Sequence, residues 1–343
     1  MPANYETILA SRPDGMPTAA NFSYRETATP EAGDGEILIR LIYLSVDPYM
    51  RGRMIVSKSY IAPFEVDAPL ESGAVGQVVA SNNPKYAAGD FVTGMMKWRE
   101  YQTHSGKDLV KLDGKLPLSY ALGVLGMPGM TAWAGLNIHG KPKAGETLVV
   151  SAASGAVGSL VVQLGKAKGL RVVGVAGGAE KCAFVTDELG ADACVDHRDP
   201  DLNANLKAAC PDGVDIYFEN VGGATLDAVV PLFNPFSRMP LCGMIAHYND
   251  MAGTPSGPDR APAIMRAILT MRVNVRGFIV RDHWEHFSEF LAEVGPLVAT
   301  GKVKVKETVT EGLENAPEAF MALLTGGNFG KQIVKVGNDP TKG

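Results

Sequence analysis

The chain changes its hydrophobic rhythm about a third of the way along. Early on, apolar positions come in short alternating runs broken by glycine and proline, the pattern of half-buried strands. "GEILIRLIYLSVDP" (35–48) predicts a long strand ending in a proline turn. "GAVGQVVASNN" (73–83) and "GDFVTGMM" (89–96) predict shorter strands. Helix-length periodicity is rare before about Leu118.

The middle reads differently. "TLVVSA", "RVVGVA", "ACVDH", "VDIYFEN", "RMPLCG" and "VNVRGFIV" are six β-branched or apolar runs between 147 and 280. Segments with helical spacing lie between them, such as "AEKCAFVTDELG" (179–190), where Gly190 suits the residue after a helix end. Strands alternating with helices predict a parallel doubly wound sheet. The last forty or so residues return to "VKVKETVTEG", a polar helix "ENAPEAFMALLTGG" and a final strand "KQIVKV".

Length agrees with two domains, since 343 residues exceed one compact core. With 46% hydrophobic and 20% charged residues the composition is that of a soluble globular protein. A net charge of −5 argues against nucleic acid as a partner, because phosphate binding needs a basic field. "MPANYETILASRPDG" lacks a basic stretch followed by an apolar run, so no signal peptide is expected. Residues 147–165 carry no charge, yet glycine and serine divide them into a short strand and a small-residue helix start, which predicts burial and no membrane span. Cys182, Cys194, Cys210 and Cys242 are scattered, as suits a reducing cytoplasm.

The chemistry begins at "SAASGAVGS" (151–159). An apolar strand runs into Ala153-x-Gly155-x-x-Gly158 and then a helix predicted over 156–168. Gly155 would let the backbone approach a pyrophosphate, Gly158 would let helix and strand pack closely, and the helix N-terminus would supply amides. The alternative is a strand–turn–helix built of small residues. Opening the first of several strand–helix units favours the nucleotide. An NAD site ordinarily ends its second strand with an acid for the ribose hydroxyls. Here Gly177 and Gly178 stand in that place and Lys181 follows, so nothing repels a 2′-phosphate and NADP is expected. Lys181 as a solvated surface lysine is the alternative.

No cysteine precedes Cys182 and no histidine precedes His104. The ligands a catalytic or four-cysteine zinc site would need in the first domain are therefore missing, and no metal is expected. Without that Lewis acid, a substrate needing modest electrophilic help, such as an activated C=C bond, is favoured.

These residues resemble the zinc-independent medium-chain reductases, specifically the leukotriene B4 12-hydroxydehydrogenase/prostaglandin reductase family, with the bacterial curcumin reductases and plant alkenal double-bond reductases. The matching stretches are "LSVDPYMRGRM" (44–54), "GMPGMTAW" (126–133), "AASGAVGS" (152–159), "VAGGAEKC" (175–182), "FENVGG" (218–223), "CGMIAHYN" (242–249), "RGFIV" (276–280) and "GGNFGKQIVKV" (326–336). They span nearly the whole chain in order. The resemblance implies an α/β protein: a Rossmann doubly wound parallel sheet domain (126–300) plus a GroES-like β-rich catalytic domain (1–125 and 301–343). It implies NADPH as cofactor and a small enone or enal as substrate.

Carried over residue by residue, the resemblance puts pyrophosphate on Ala153, Ser154, Gly155, Ala156, Val157 and Gly158, and the 2′-phosphate on Lys181 beside Gly178. The family's tyrosine at the third strand's end is here His197, so His197 or Arg198 would assist. Asn220 matches an asparagine beside the cofactor. Cys242, Gly243, Ile245 and Tyr248, with Phe278, Ile279, Val280 and Asn328, match segments lining the nicotinamide and its ribose. Met127 and Thr131 would lie in the nicotinamide-side loop, or in an interdomain hinge. Tyr248 and the cofactor's ribose hydroxyl are the expected donors to the substrate carbonyl as an enolate develops, the α carbon then taking a proton from tyrosine or water. Tyr49 would orient the substrate from the other domain. Taken without the resemblance, both tyrosines read as packing residues.

The outer strand near 273–280 matches one that pairs with its copy, which implies a homodimer, the alternative being a capped edge in a monomer. Met95, Met96 and Trp98 would shape an apolar cleft or belong to the core. The expected activity is NADPH-dependent reduction of the C=C bond of α,β-unsaturated aldehydes or ketones. Quinone reduction and a non-catalytic NADPH-binding role are the alternatives.

Overall fold

The computed structural model describes residues 3–250 and 259–342. Fifteen strands are assigned in chain order among them. β1 (Asn4–Leu9), β2 (Phe22–Thr27), β3 (Ile37–Ser45), β4 (Glu71–Ser81), β5 (Phe91–Lys97), β6 (Tyr101–His104) and β7 (Val110–Leu112) come first. β8 (Thr147–Ser151), β9 (Arg171–Ala176), β10 (Ala193–Asp196), β11 (Val214–Phe218), β12 (Phe233–Leu241) and β13 (Asn274–Gly277) follow. β14 (Glu307–Glu311) and β15 (Lys331–Lys335) close the chain. They divide between two compact units, one reaching to Gly123 and resuming at Glu307, the other lying within Val124 to Lys306.

The first unit is β-rich. Its main sheet has the order β14-β15-β3-β4-β5-β7, with β6 on β3, and β1 and β2 form a separate antiparallel pair. The alternation in "ILIRLIYLS" turns Ile37, Ile39 and Leu41 inward, all essentially unexposed. Trp98 and Met96 belong to this core: Trp98 is fully buried with its indole N–H donating to Ser72 Oγ at 2.9 Å, while Met95 is exposed. The helix expected to be polar is amphipathic instead. Over Ala316–Leu324 it buries Ala316, Ala319, Phe320 and Leu323, the i, i+3, i+4, i+7 stripe that Glu314, Asn315 and Glu318 obscure in the sequence.

The second unit holds a six-stranded, wholly parallel sheet of order β10-β9-β8-β11-β12-β13. Counted within the unit this is 3-2-1-4-5-6, the doubly wound order whose ligand crevice lies at the carboxyl ends beside the first strand. All six predicted strands are present. Central β8 is buried at every position, as a strand covered on both faces requires. The run "VNVRGFIV" is shorter as a strand than its sequence suggests: β13 stops at Gly277, and Phe278 turns into the core. Among the described residues no helix is long and apolar enough to cross a membrane.

Candidate functional site

The glycine-rich turn leaves β8 at Ser151, with Ala152 at φ +49°, in the left-handed region. The Gly155 amide donates to the Ala152 carbonyl at 2.9 Å, closing a turn. The helix therefore runs over Gly158–Ala167, two residues later than predicted, because this turn takes up 152–155. Gly158 is there for space. A Cβ on it would lie 2.3 Å from the Ala152 carbonyl oxygen, so no other residue lets the helix approach the turn so closely. Ala153 and Ser154 are buried beneath it, with the Ala153 amide donating to the Val175 carbonyl, while the Ser159 and Leu160 amides donate to the Gly155 and Val157 carbonyls.

At the end of β9 the chain passes through Gly177 and Gly178, the latter at φ +92°. The helix after them, Ala179–Ala183, continues as a wider turn, Phe184–Glu188, and Gly190 follows it at φ +78°. Basic side chains surround the glycines. A Cβ on Gly177 would meet His197 Nε2 at 2.7 Å and two guanidinium nitrogens of Arg198 at 3.2 Å; one on Gly178 would meet Arg198 Nη1 at 3.6 Å. Lys181 shares the neighbourhood. Burial, then the Arg198 charge, pulls its ammonium below the usual lysine range, against Glu180. His197 is also pulled down, by burial first and then by Arg198, with Asp196 opposing and Lys181 adding to the fall. Three basic groups pressed together relax when an anion joins them. A cleft of about 280 Å³ opens from His197 past Asp199, Pro200, Leu202 and Asn203 to Ala224 and Asp227.

Asn220 follows β11, its side-chain amide donating to the Ser151 carbonyl at 2.8 Å and its backbone amide to Ser151 Oγ at 2.7 Å. The segment after β12 comes back to the same place. Cys242 and Gly243 both donate backbone amides to the Glu219 carbonyl, and Ile245 donates to that of Asn220. Burial, then the Glu219 charge, pushes the Cys242 thiol up to about 12, so it stays protonated. Ile245–His247 forms a 3₁₀ turn that delivers Tyr248. Its hydroxyl sits over Gly243, where a Cβ would come within 3.0 Å of it, and accepts the Met244 amide at 3.4 Å.

Other expected positions are less open. The Thr131 hydroxyl donates at 2.8 Å to the Met127 carbonyl of its own helix, Met127–Ala134. The Phe278 ring packs edge-on against Phe218 and 4.9 Å from the His139 ring, so at this position the backbone is what is left to face a ligand. Ile279 and Val280, half-buried, lead into a 3₁₀ turn.

In the β-rich unit, Tyr49 immediately precedes the short helix Met50–Arg53 and is half-buried against the core. Burial, then the Asp47 carboxylate, pushes its phenol well above the ordinary tyrosine range, so it is a proton donor at any physiological pH. An ion pair that the sequence did not reveal holds its loop. Lys331 Nζ donates to Asp47 Oδ1 at 3.0 Å, to the Val46 carbonyl at 2.8 Å and to the Gln332 carbonyl at 2.9 Å, all buried. The Asn328 side chain donates to the Gly330 carbonyl at 2.8 Å in the turn before β15. Among the described residues no three His, Cys, Asp or Glu side chains cluster as a metal site would need.

Residues 6–112 match a family described as the N-terminal domain of oxidoreductase, and residues 156–295 one described as zinc-binding dehydrogenase. The chain is 49% identical over 338 residues to the NADPH-dependent curcumin reductase of Escherichia coli (strain K12), covering 98% of each. It is 40% identical over 345 residues to a 2-alkenal reductase (NADP(+)-dependent) of Nicotiana tabacum, again covering 98% of each. The crystal structure of CurA in complex with NADPH from Vibrio vulnificus superimposes with a TM-score of 0.93 at 48% identity, covering 98% of this chain and 100% of that one.

Proposed function

Because this chain belongs to the zinc-independent medium-chain dehydrogenase/reductase family, in the group of the curcumin and alkenal reductases, we propose that it reduces the C=C bond of α,β-unsaturated aldehydes and ketones with NADPH. The observation that carries the cofactor choice is the packing of His197 and Arg198 against Gly177–Gly178, with Lys181 near enough to feel the Arg198 charge, where an NAD site would hold an acid. The double-bond chemistry follows the relatives at 49% and 40% identity.

Each residue then has a task. Lys181 and Arg198 bind the 2′-phosphate, with His197 donating as a neutral imidazole. The amides of Ser154 and of Ala156 to Gly158 hold the pyrophosphate at the helix N-terminus, where Gly155 leaves room for it. The cleft between His197 and Asp227 takes the adenine. Asn220, the Cys242–Ile245 segment, the Phe278–Val280 backbone and Met127 with Thr131 confine the nicotinamide and its ribose; the family resemblance adds Asn328. When bound, NADPH supplies the hydride that adds to the β carbon. The Tyr248 hydroxyl donates to the substrate carbonyl oxygen as negative charge collects there, the α carbon then takes a proton from tyrosine or water, and Tyr49 orients the substrate.

Stopped-flow NADPH oxidation tests the reaction class. Enones and enals should be consumed faster than quinones; faster turnover of every quinone than of any enone would make the protein a quinone reductase. Tight NADPH binding without consumption of any enone would leave it a cofactor-binding protein.

The second unit also has an open sheet edge. β13 pairs with β12 on one side only among the described strands, and Asn274, Arg276 and Gly277 are exposed along it. We propose that two copies pair there, which covers unpaired backbone groups that would otherwise invite aggregation. Light scattering should give twice the chain mass; a monomer at micromolar concentration would refute the pairing. Four free cysteines with no disulfide among them accord with a cytoplasmic setting.

A further inference from the structure

Glu219 is wholly buried, and among the described residues no lysine, arginine or histidine forms an ion pair with it. Burying a carboxylate in this way costs stability, and an apolar residue would serve a core better. What the carboxylate supplies is geometry. Oε1 accepts the Ser151 hydroxyl at 2.9 Å and the Val221 amide at 2.6 Å, and Oε2 accepts the Tyr217 hydroxyl at 2.8 Å. Burial, then the Glu219 charge, raises the Tyr217 phenol far above its ordinary range, which keeps it a donor.

The same residue reaches three strand ends. Through Ser151 it fixes the last residue of β8, one step before the glycine-rich turn, and the Ser151 hydroxyl in turn accepts the Asn220 amide. Through the Val221 amide it fixes the loop after β11. Its backbone carbonyl accepts the Cys242 and Gly243 amides at 2.9 and 3.1 Å, fixing the start of the segment that ends in Tyr248. Three segments distant in sequence are thus tied to one side chain and its own backbone.

We propose that Glu219 is a positioning residue for cofactor and catalysis: its buried carboxylate sets the mutual register of the pyrophosphate turn and the Asn220–Val221 loop, whose carbonyls in turn accept the Ile245 and Ala246 amides of the Tyr248 segment. This rests on the NADPH-dependent reading above. The segments come from different strand ends and need placement to a fraction of an ångström, because donors work only within a narrow range of distance and angle.

The test uses Glu219→Gln and Ser151→Ala in the full-length protein, with far-UV circular dichroism to establish folding. Dissociation constants for NADPH and NADH are measured by fluorescence titration, and kcat with a saturating enone. Both variants should weaken NADPH and NADH alike by about tenfold, since the disturbed groups face the shared part of the cofactor, and should lower kcat by a similar factor. If Glu219→Gln does not fold, Ser151→Ala decides, as it removes one hydroxyl from the same junction. Folded variants whose affinities and kcat stay within about twofold of wild type would overturn the proposal, even if their melting temperatures fall. A wild-type protein that fails to bind NADPH would overturn the functional reading instead, so the two failures are distinct.

Discussion

Lys181→Ala combined with Arg198→Ala is expected to raise the dissociation constant for NADPH by roughly 10²-fold while leaving that for NADH within about threefold. The size follows from losing two charge-assisted contacts, each contributing about 1.5–3 kcal/mol before partial solvent screening reduces it. The asymmetry follows from position. Arg198 lies against the Gly177–Gly178 end of β9 with Lys181 within reach of its charge, and nothing in NADH reaches there with charge. Arg198 deserves equal weight with Lys181 because its guanidinium lies against both glycines. His197 is held below its ordinary range by burial and by Arg198, so it brings a hydrogen bond more than a charge. Single variants should each show part of the effect. Equal losses for NADPH and NADH, measured by fluorescence titration, would remove the phosphate role from this cluster.

How much of this was legible in advance depended on whether one segment carried the signal. The six strands of the parallel sheet could be read because each is a short run of β-branched or apolar residues bounded by turn residues. The Gly177–Gly178 pair and Lys181 could be read together because they lie within one strand–helix junction. The choice between His197 and Arg198 could not, since neighbouring side chains at a strand end diverge according to the local turn. Glu219 and Lys331 were invisible for a different reason. Charged residues normally belong to the surface, and these two are buried only because partners arrive from elsewhere: Ser151, 68 residues before Glu219, and Asp47, 284 residues before Lys331. The β1–β2 pair escaped notice because "NYETIL" and "FSYRET" mix polar and apolar residues without clean alternation. The Ala316–Leu324 helix reads as polar in sequence because acidic and amide residues crowd its start, ahead of the buried stripe.

Tyr248→Phe is expected to lower kcat for an enone by about 10²–10³-fold while changing NADPH affinity by less than about threefold. The hydroxyl accepts the Met244 amide and sits over Gly243, so the Met244 amide helps to fix the oxygen. An oxygen that already accepts a hydrogen bond is a better donor through its own proton, because the two bonds polarise each other. That proton is matched to a carbonyl oxygen gaining charge in the transition state and is worth little to the ground-state substrate. Its loss therefore belongs in kcat and not in binding. The phenylalanine keeps the aromatic ring and removes only the hydroxyl, so the comparison isolates that group. A fall in kcat matched by an equal loss of NADPH affinity would make Tyr248 a wall of the cofactor site. Wild-type turnover would remove it from the mechanism, leaving the cofactor's ribose hydroxyl as the donor to the carbonyl.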